Sequence, residues 1–156
     1  MKAEENIRGE LESKFSYLKD RVTVPRARRI FLDADYDRFR EVFEYAVKEL
    51  KFHFLNTITG LDDGEKLGLI YHLADDNGIT LNLKTGVPMQ DPLVKSVTDI
   101  FPSADIYERE LADLLGAKIE GMVEGFRYPL TDDWPAGQYP LRKSWKLENL
   151  EKKGEI

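Results

Sequence analysis

Five charged side chains crowd one short stretch: Asp105, Glu108, Arg109, Glu110 and Asp113. Carboxylates beside a guanidinium can do acid–base work, or they can grip another chain through charge-assisted hydrogen bonds. On a helix Asp105, Arg109 and Asp113 line one face as an acid–base–acid ladder, worth roughly 0.2 to 0.5 kcal/mol per pair if it merely decorates the surface. Glu108 and Glu110 fall about 200° apart, a poor arrangement for two carboxylates acting on one substrate. Tyr107, Leu111, Leu114 and Leu115 anchor the helix to a core. Glu108, Arg109 and Asp113 are therefore expected to face outward, toward a partner.

Other candidate chemistry is thin. His53 and His72 are the only histidines, and neither stands at metal-ligand spacing from another ligand type. Asp62, Asp63 and Glu65 lack the spacing of a calcium loop, and no glycine-rich phosphate cradle or nucleophile-elbow serine occurs. There are no cysteines, so disulfides, thiol nucleophiles and thiolate-held iron–sulfur clusters are excluded from this chain. A formal net charge of −6 argues against a general nucleic-acid binder, despite the local run Arg26-Ala27-Arg28-Arg29. No catalytic, cofactor-binding or metal-binding residue is assigned. A stand-alone enzyme using Glu108, Glu110 and Asp113 is the competing reading, and it needs a pocket that the pattern does not reveal.

These residues need elements to hold them. Ile7, Leu11, Phe15 and Leu18 predict an amphipathic helix over about 4–20, and Phe39, Val42, Phe43, Ala46, Val47 and Leu50 a second one capped by Asp33 or Asp35. Arg28 to Leu32 reads as a short strand. Strand-like runs follow near 52–59, 66–74 and 79–84, where Leu67, Leu69, Tyr71 and Leu73 alternate with their neighbours. Asp91-Pro92 reads as the start of a short helix reaching Val97, and a longer one runs from Ser103 or Ala104 to Leu115, stopped by Gly116. The expected fold is α+β: a mainly antiparallel sheet packed by helices over 1–115, with a long irregular tail over 116–156.

That tail carries Phe126, Tyr128, Trp134, Tyr139 and Trp145 among repeated glycines and prolines. So many large apolar groups call for burial, and Trp, Tyr and Arg are the types enriched at interfaces. The tail is expected to wrap a partner subunit; folding back over its own sheet is the alternative. Arg142 and Lys143 by themselves read as a solvated basic pair, but beside the aromatics they read as a grip on acidic groups of a partner.

The run from Ser96 through Phe101-Pro102-Ser103-Ala104-Asp105-Ile106-Tyr107-Glu108-Arg109-Glu110, continuing to Asp113-Leu114-Leu115-Gly116 and Glu120-Gly121, resembles the signature of the respiratory complex I thirty-kilodalton subunit family. Leu130-Thr131-Asp132-Asp133-Trp134 and Pro140-Leu141-Arg142-Lys143 are similar to its closing motif. The resemblance implies a cofactor-free assembly subunit, not catalytic by itself. It would dock on the catalytic large subunit of a membrane oxidoreductase whose iron–sulfur clusters, and nickel–iron centre if present, lie in partner chains. It implies a peripheral place on the cytoplasmic side of the membrane, with membrane contact only through the complex. Met122 stands where complex I members usually show His, and Tyr139 and Ser144 flank the Pro-Leu-Arg-Lys run where His and Asp are common. These departures point first to the branch found in membrane-bound nickel–iron hydrogenases and related sulfur-reducing complexes, and second to quinone- or coenzyme F420-linked dehydrogenases. By position, Glu108, Arg109, Glu110, Asp113, Gly116, Glu120, Gly121, Trp134, Pro140, Leu141, Arg142 and Lys143 become the expected partner-contact or tail-positioning residues.

Overall fold

The computed structural model describes residues 1–151. They group into two compact units, one of Met1–Thr59 with Leu69–Gly86 and one of Gly60–Gly68 with the chain from Val87 onward.

The first unit opens with helix α1 (Lys2–Lys14), which stops short of the expected span because Phe15 turns to φ −123°, ψ 86° and a single 3-10 turn, Ser16–Leu18, follows. Strands β1 (Val22–Arg26) and β2 (Arg29–Asp33) pair antiparallel, with a register shift between Thr23 and Arg26. Pro25 sits in that shift, having no N–H for a ladder, and is tolerated because β1 is an edge strand. Helix α2 (Tyr36–Lys48) buries Phe39, Val42, Phe43 and Ala46 on one stripe. Phe39 and Phe43 pack on Tyr71 with ring centroids 4.6 and 5.5 Å away. Asp35 takes the N-cap position, but its carboxylate makes no cap bond and meets Arg21 at 3.1 Å instead.

Strands β3 (Phe54–Asp62), β4 (Lys66–Ala74) and β5 (Thr80–Pro88) complete a five-stranded sheet in the order β1-β2-β5-β4-β3. The connections of β3 to β4 and β4 to β5 are too short for anything but antiparallel hairpins. The β2–β5 pair is parallel, which a long intervening crossover through α2 permits. The sheet is thus mostly antiparallel and the chain α+β, as expected.

In the second unit the expected short helix near 92–97 is instead strand β6 (Leu93–Lys95), paired parallel with β7 (Lys118–Glu120). Asp91-Pro92 has helix-start chemistry, but burial of Val94 and a Lys118 N–H donated to the Pro92 carbonyl, 2.9 Å, favour the extended form. Helix α3 (Ala104–Leu115) is the crossover between β6 and β7, and the four-residue α4 (Glu148–Glu151) closes the described chain. Among the described residues no helix is long and apolar enough to cross a membrane.

Candidate partner-docking site

Helix α3 ends where its sequence says it should. Gly116 adopts φ 75° and donates its N–H to the Ala112 carbonyl, while the Ala117 N–H reaches Leu111, a left-handed glycine cap. The Arg142 Nε donates to the orphan Leu115 carbonyl at 2.7 Å, and its guanidinium lies 4.6 Å from the Tyr139 ring centre. A cation at a helix C-terminus is favoured both by that carbonyl and by the helix dipole. Next to it, the Leu141 N–H donates to the Leu114 carbonyl at 3.0 Å. The Pro140-to-Arg142 segment is thereby fastened to the end of α3.

The ladder face of α3 holds the preceding stretch of tail. Arg109 reaches Asp105 through Nε at 2.9 Å, the Phe126 carbonyl through Nη1 at 2.9 Å and the Val123 carbonyl through Nη2 at 2.8 Å. Its guanidinium also lies 4.9 Å from the Phe126 ring centre. Asp113 accepts from Arg127 Nε and from the Leu130 N–H, both at 3.2 Å. Arg127 in turn donates to the Trp134 carbonyl at 2.8 Å. An open groove of about 480 Å³ runs between Arg109, Ala112, Asp113 and the segment Met122–Tyr128.

Two further anchors complete the arrangement. Gln138 takes both indole N–H groups, Trp134 through its carbonyl at 2.8 Å and Trp145 through its side-chain oxygen at 2.9 Å. Asp62, the last residue of β3, accepts the Lys143 N–H and the Gly64 N–H, each at 2.8 Å. Those amides, Lys143 first, hold its carboxyl below the usual range.

The outward orientation expected of Glu108 and Arg109 does not hold. Glu108 is fully buried, with Oε2 accepting from the Ser96 hydroxyl and Oε1 from the Val97 N–H, both at 2.8 Å. Burial pushes its carboxyl above the ordinary value, against the pull of those two donors. Arg109 is only 7% exposed, because the tail covers it. Asp113, too, is committed within the chain. The helix wheel places these residues correctly around α3, but the groups that fill the opposite half of each bond come from Ser96, Val97 and the tail.

Of the remaining expected contacts, Glu110 is half-buried and Glu120 and Gly121 are exposed, the Glu120 carbonyl accepting the Ser96 N–H at 2.9 Å. Trp134 and Pro140 are half-buried, whereas Leu141 and Lys143 present exposed side chains. Sequence reasoning misses Ser96, Asp62, Gln138 and Arg127. Arg127 carries a signal: it is the sole cation between Lys118 and Arg142. Among the described residues no group of three or more His, Asp or Glu side chains is placed to hold a metal.

Residues 32–151 match the family described as respiratory-chain NADH dehydrogenase, 30 Kd subunit. The chain belongs to that family. Within it, the chain is 34% identical over 121 residues to the C subunit of the F(420)H(2) dehydrogenase of Methanosarcina mazei, covering 76% of each. It is 29% identical over 124 residues to the beta subunit of the membrane-bound hydrogenase of Pyrococcus furiosus, covering 76% of this chain and 70% of that one. Against the C subunit of the NADH-quinone oxidoreductase of Acidothermus cellulolyticus it spans only about half the relative, 55%, at 33% identity and with 66% of this chain matched. A chain of the membrane-bound sulfane sulfur reductase, an archaeal respiratory membrane complex, superposes with a TM-score of 0.84 at 28% identity, covering 97% of this chain and 91% of that one.

Proposed function

We propose that this family member is a structural subunit of a membrane-bound hydrogenase-like or sulfur-reducing oxidoreductase, docking on the catalytic large subunit through its tail. The supporting observation is a contrast within the tail. Its backbone is tied to α3 by Arg109, Asp113 and Arg142, yet Val123, Phe126, Tyr128 and Leu141 stay 40 to 72% exposed. Apolar side chains held in fixed positions at the surface form an interface that binding need not first order. Near-complete mutual coverage with the sulfane sulfur reductase chain supports this branch over the longer NADH-quinone relatives. The 34% identity to the F(420)H(2) dehydrogenase relative favours a coenzyme F420-linked complex as the second reading.

Electrons would move through iron–sulfur clusters, and nickel–iron if present, in partner chains. The residues here do not fit such a cluster, since its usual ligands are thiolates and the chain has none. Association with the membrane would be peripheral, on the cytoplasmic side, through those partners.

The test is copurification from native membranes with a tagged chain carrying Val123→Asp and Leu141→Asp, two exposed positions. Recovery of the large subunit is expected to fall about tenfold or more, as for charges placed in an apolar interface. Undiminished recovery would refute docking through this surface. Nickel with iron in the wild-type complex selects the hydrogenase branch; iron without nickel selects a sulfur-, quinone- or F420-linked relative.

A further inference from the structure

The turn between β1 and β2 is built at a loss that folding alone does not explain. Residues 21–32 contain four arginines and no carboxylate, in a chain whose net charge is −6. Arg26 and Arg29 stand directly opposite one another across the two strands, and like charges in that position destabilise a hairpin. Arg28 takes φ 61°, a left-handed conformation that a glycine or asparagine would enter more cheaply.

The turn is nonetheless held firmly. The Arg28 N–H donates to Glu4 Oε1 at 2.6 Å, tying the turn to α1, and Arg29 Nη1 donates to the Arg28 carbonyl at 2.7 Å and to Thr80 Oγ1 at 3.1 Å. The Glu4 carboxylate faces the Arg28 backbone and the terminal amine, 2.5 Å away. Arg26 and Arg28 are exposed, and among the described residues no carboxylate lies within ion-pair distance of either guanidinium. Two guanidinium forks, unpaired among the described residues, thus belong to one fixed turn.

We propose that this tip is a second docking point, taking a carboxylate-rich segment of a neighbouring subunit. The proposal rests on the reading that the chain works inside a complex, but uses a different surface. Guanidinium forks bind carboxylates through two parallel bonds. An extended polyanion fits less well. Nucleic acid or an anionic bilayer would bring many charges against an acidic chain, whereas salt screens a small acidic segment from all but the charges within about 8 to 10 Å of it.

The experiment uses the tagged full chain in its native membranes, bearing Arg26→Glu with Arg28→Glu, and separately Arg28→Gly. Both variants are expected to lose one companion subunit about tenfold or more, since reversed or deleted interface charges act directly on binding. The isolated variant chains are expected to melt no lower than wild type, because Arg26→Glu faces Arg29 and Arg28→Gly removes the left-handed strain. A photo-crosslinker on Arg26→Cys, a unique thiol in this chain, should label an Asp- or Glu-rich peptide of that companion. Reversing those acids to Lys should restore binding of the double Glu variant. Unchanged recovery of every companion overturns the proposal, as does a loss matched by a lower melting temperature, which marks a structural role. Unchanged recovery with lost binding to phosphatidylglycerol vesicles assigns the tip to the membrane instead. If the hairpin variants keep their companions while Val123→Asp/Leu141→Asp loses the large subunit, only this inference falls.

Discussion

Arg109→Ala would release the segment 122–130 from α3 while leaving the rest of the fold in place. The wild-type guanidinium makes three hydrogen bonds, to Asp105, Val123 and Phe126, and stacks on the Phe126 ring. Bonds from a charged donor contribute about 1.5 to 3 kcal/mol each when fully desolvated. Val123 and Phe126 are exposed, so water can replace Arg109 at both carbonyls once it is gone. Asp105 is 37% exposed and can likewise rehydrate. The three losses together should therefore come to about 2 to 3 kcal/mol rather than their desolvated sum. That energy acts on local opening, so amide exchange over 122–130 should accelerate about thirty- to a hundred-and-sixtyfold, with exchange in α2 and β4 unchanged. Arg109→Lys should recover only part of the protection, since an ammonium cannot span two carbonyls and Asp105 together. Hydrogen exchange read by mass spectrometry decides it. Unaltered exchange over 122–130 would refute the assignment of Arg109 as the clasp.

Glu108 supplies a pH signature. Its folded-state pKa is raised by burial, so its contribution to stability is present at low pH and is lost as pH climbs from about 4.5 through the raised value; Glu108→Gln should flatten that segment of a melting-temperature profile, and an unchanged slope would sink the idea. Glu108→Ala takes the acceptor from the buried Val97 N–H, while the Ser96 hydroxyl keeps Thr98 Oγ1 at 2.7 Å, a loss of about 1 to 3 kcal/mol by denaturant titration. Gly116→Ala places a methyl 2.6 Å from Tyr139 at φ 75°, and should cost about 1 to 3 kcal/mol and loosen the Arg142 cap, visible as faster exchange at Leu141. In Gly60→Ala the new methyl collides with the Leu111 and Leu115 side chains, so overpacking of about 1 to 3 kcal/mol should lower the melting temperature; a neutral result would mean that the helix can shift freely.

The legible parts of this protein are those governed by local rules. Alternation in Leu67-Gly68-Leu69-Ile70-Tyr71-His72-Leu73 specifies a strand with one buried face, and the α2 stripe and the Gly116 stop follow from helical period and left-handed freedom. Where local rules conflict with burial, the sequence misleads: Asp91-Pro92 starts a helix by its own chemistry, yet Val94 belongs to a buried parallel ladder closed by β7, more than twenty residues later in the chain. Asp35 could cap α2, but Arg21 competes for its carboxylate from across a turn.

The ordered motifs from Ser96 to Lys143 were enough by themselves to identify the family, because residue types at fixed spacing survive translation into any register. Which atoms those motifs engage was decided only by the tertiary structure. Glu108 and Arg109 are neighbours on one helix, and nothing in their spacing distinguishes a group that meets solvent from one that meets Ser96 or Val123. That choice depends on where a segment 14 to 17 residues further on returns, as the Arg109 bonds to Val123 and Phe126 record. The tail has no periodicity to announce such a return. Its path is fixed by donors and acceptors whose pairing is non-local: Arg142 with the end of α3, Arg127 with Asp113, and the Lys143 amide with Asp62, 81 positions earlier.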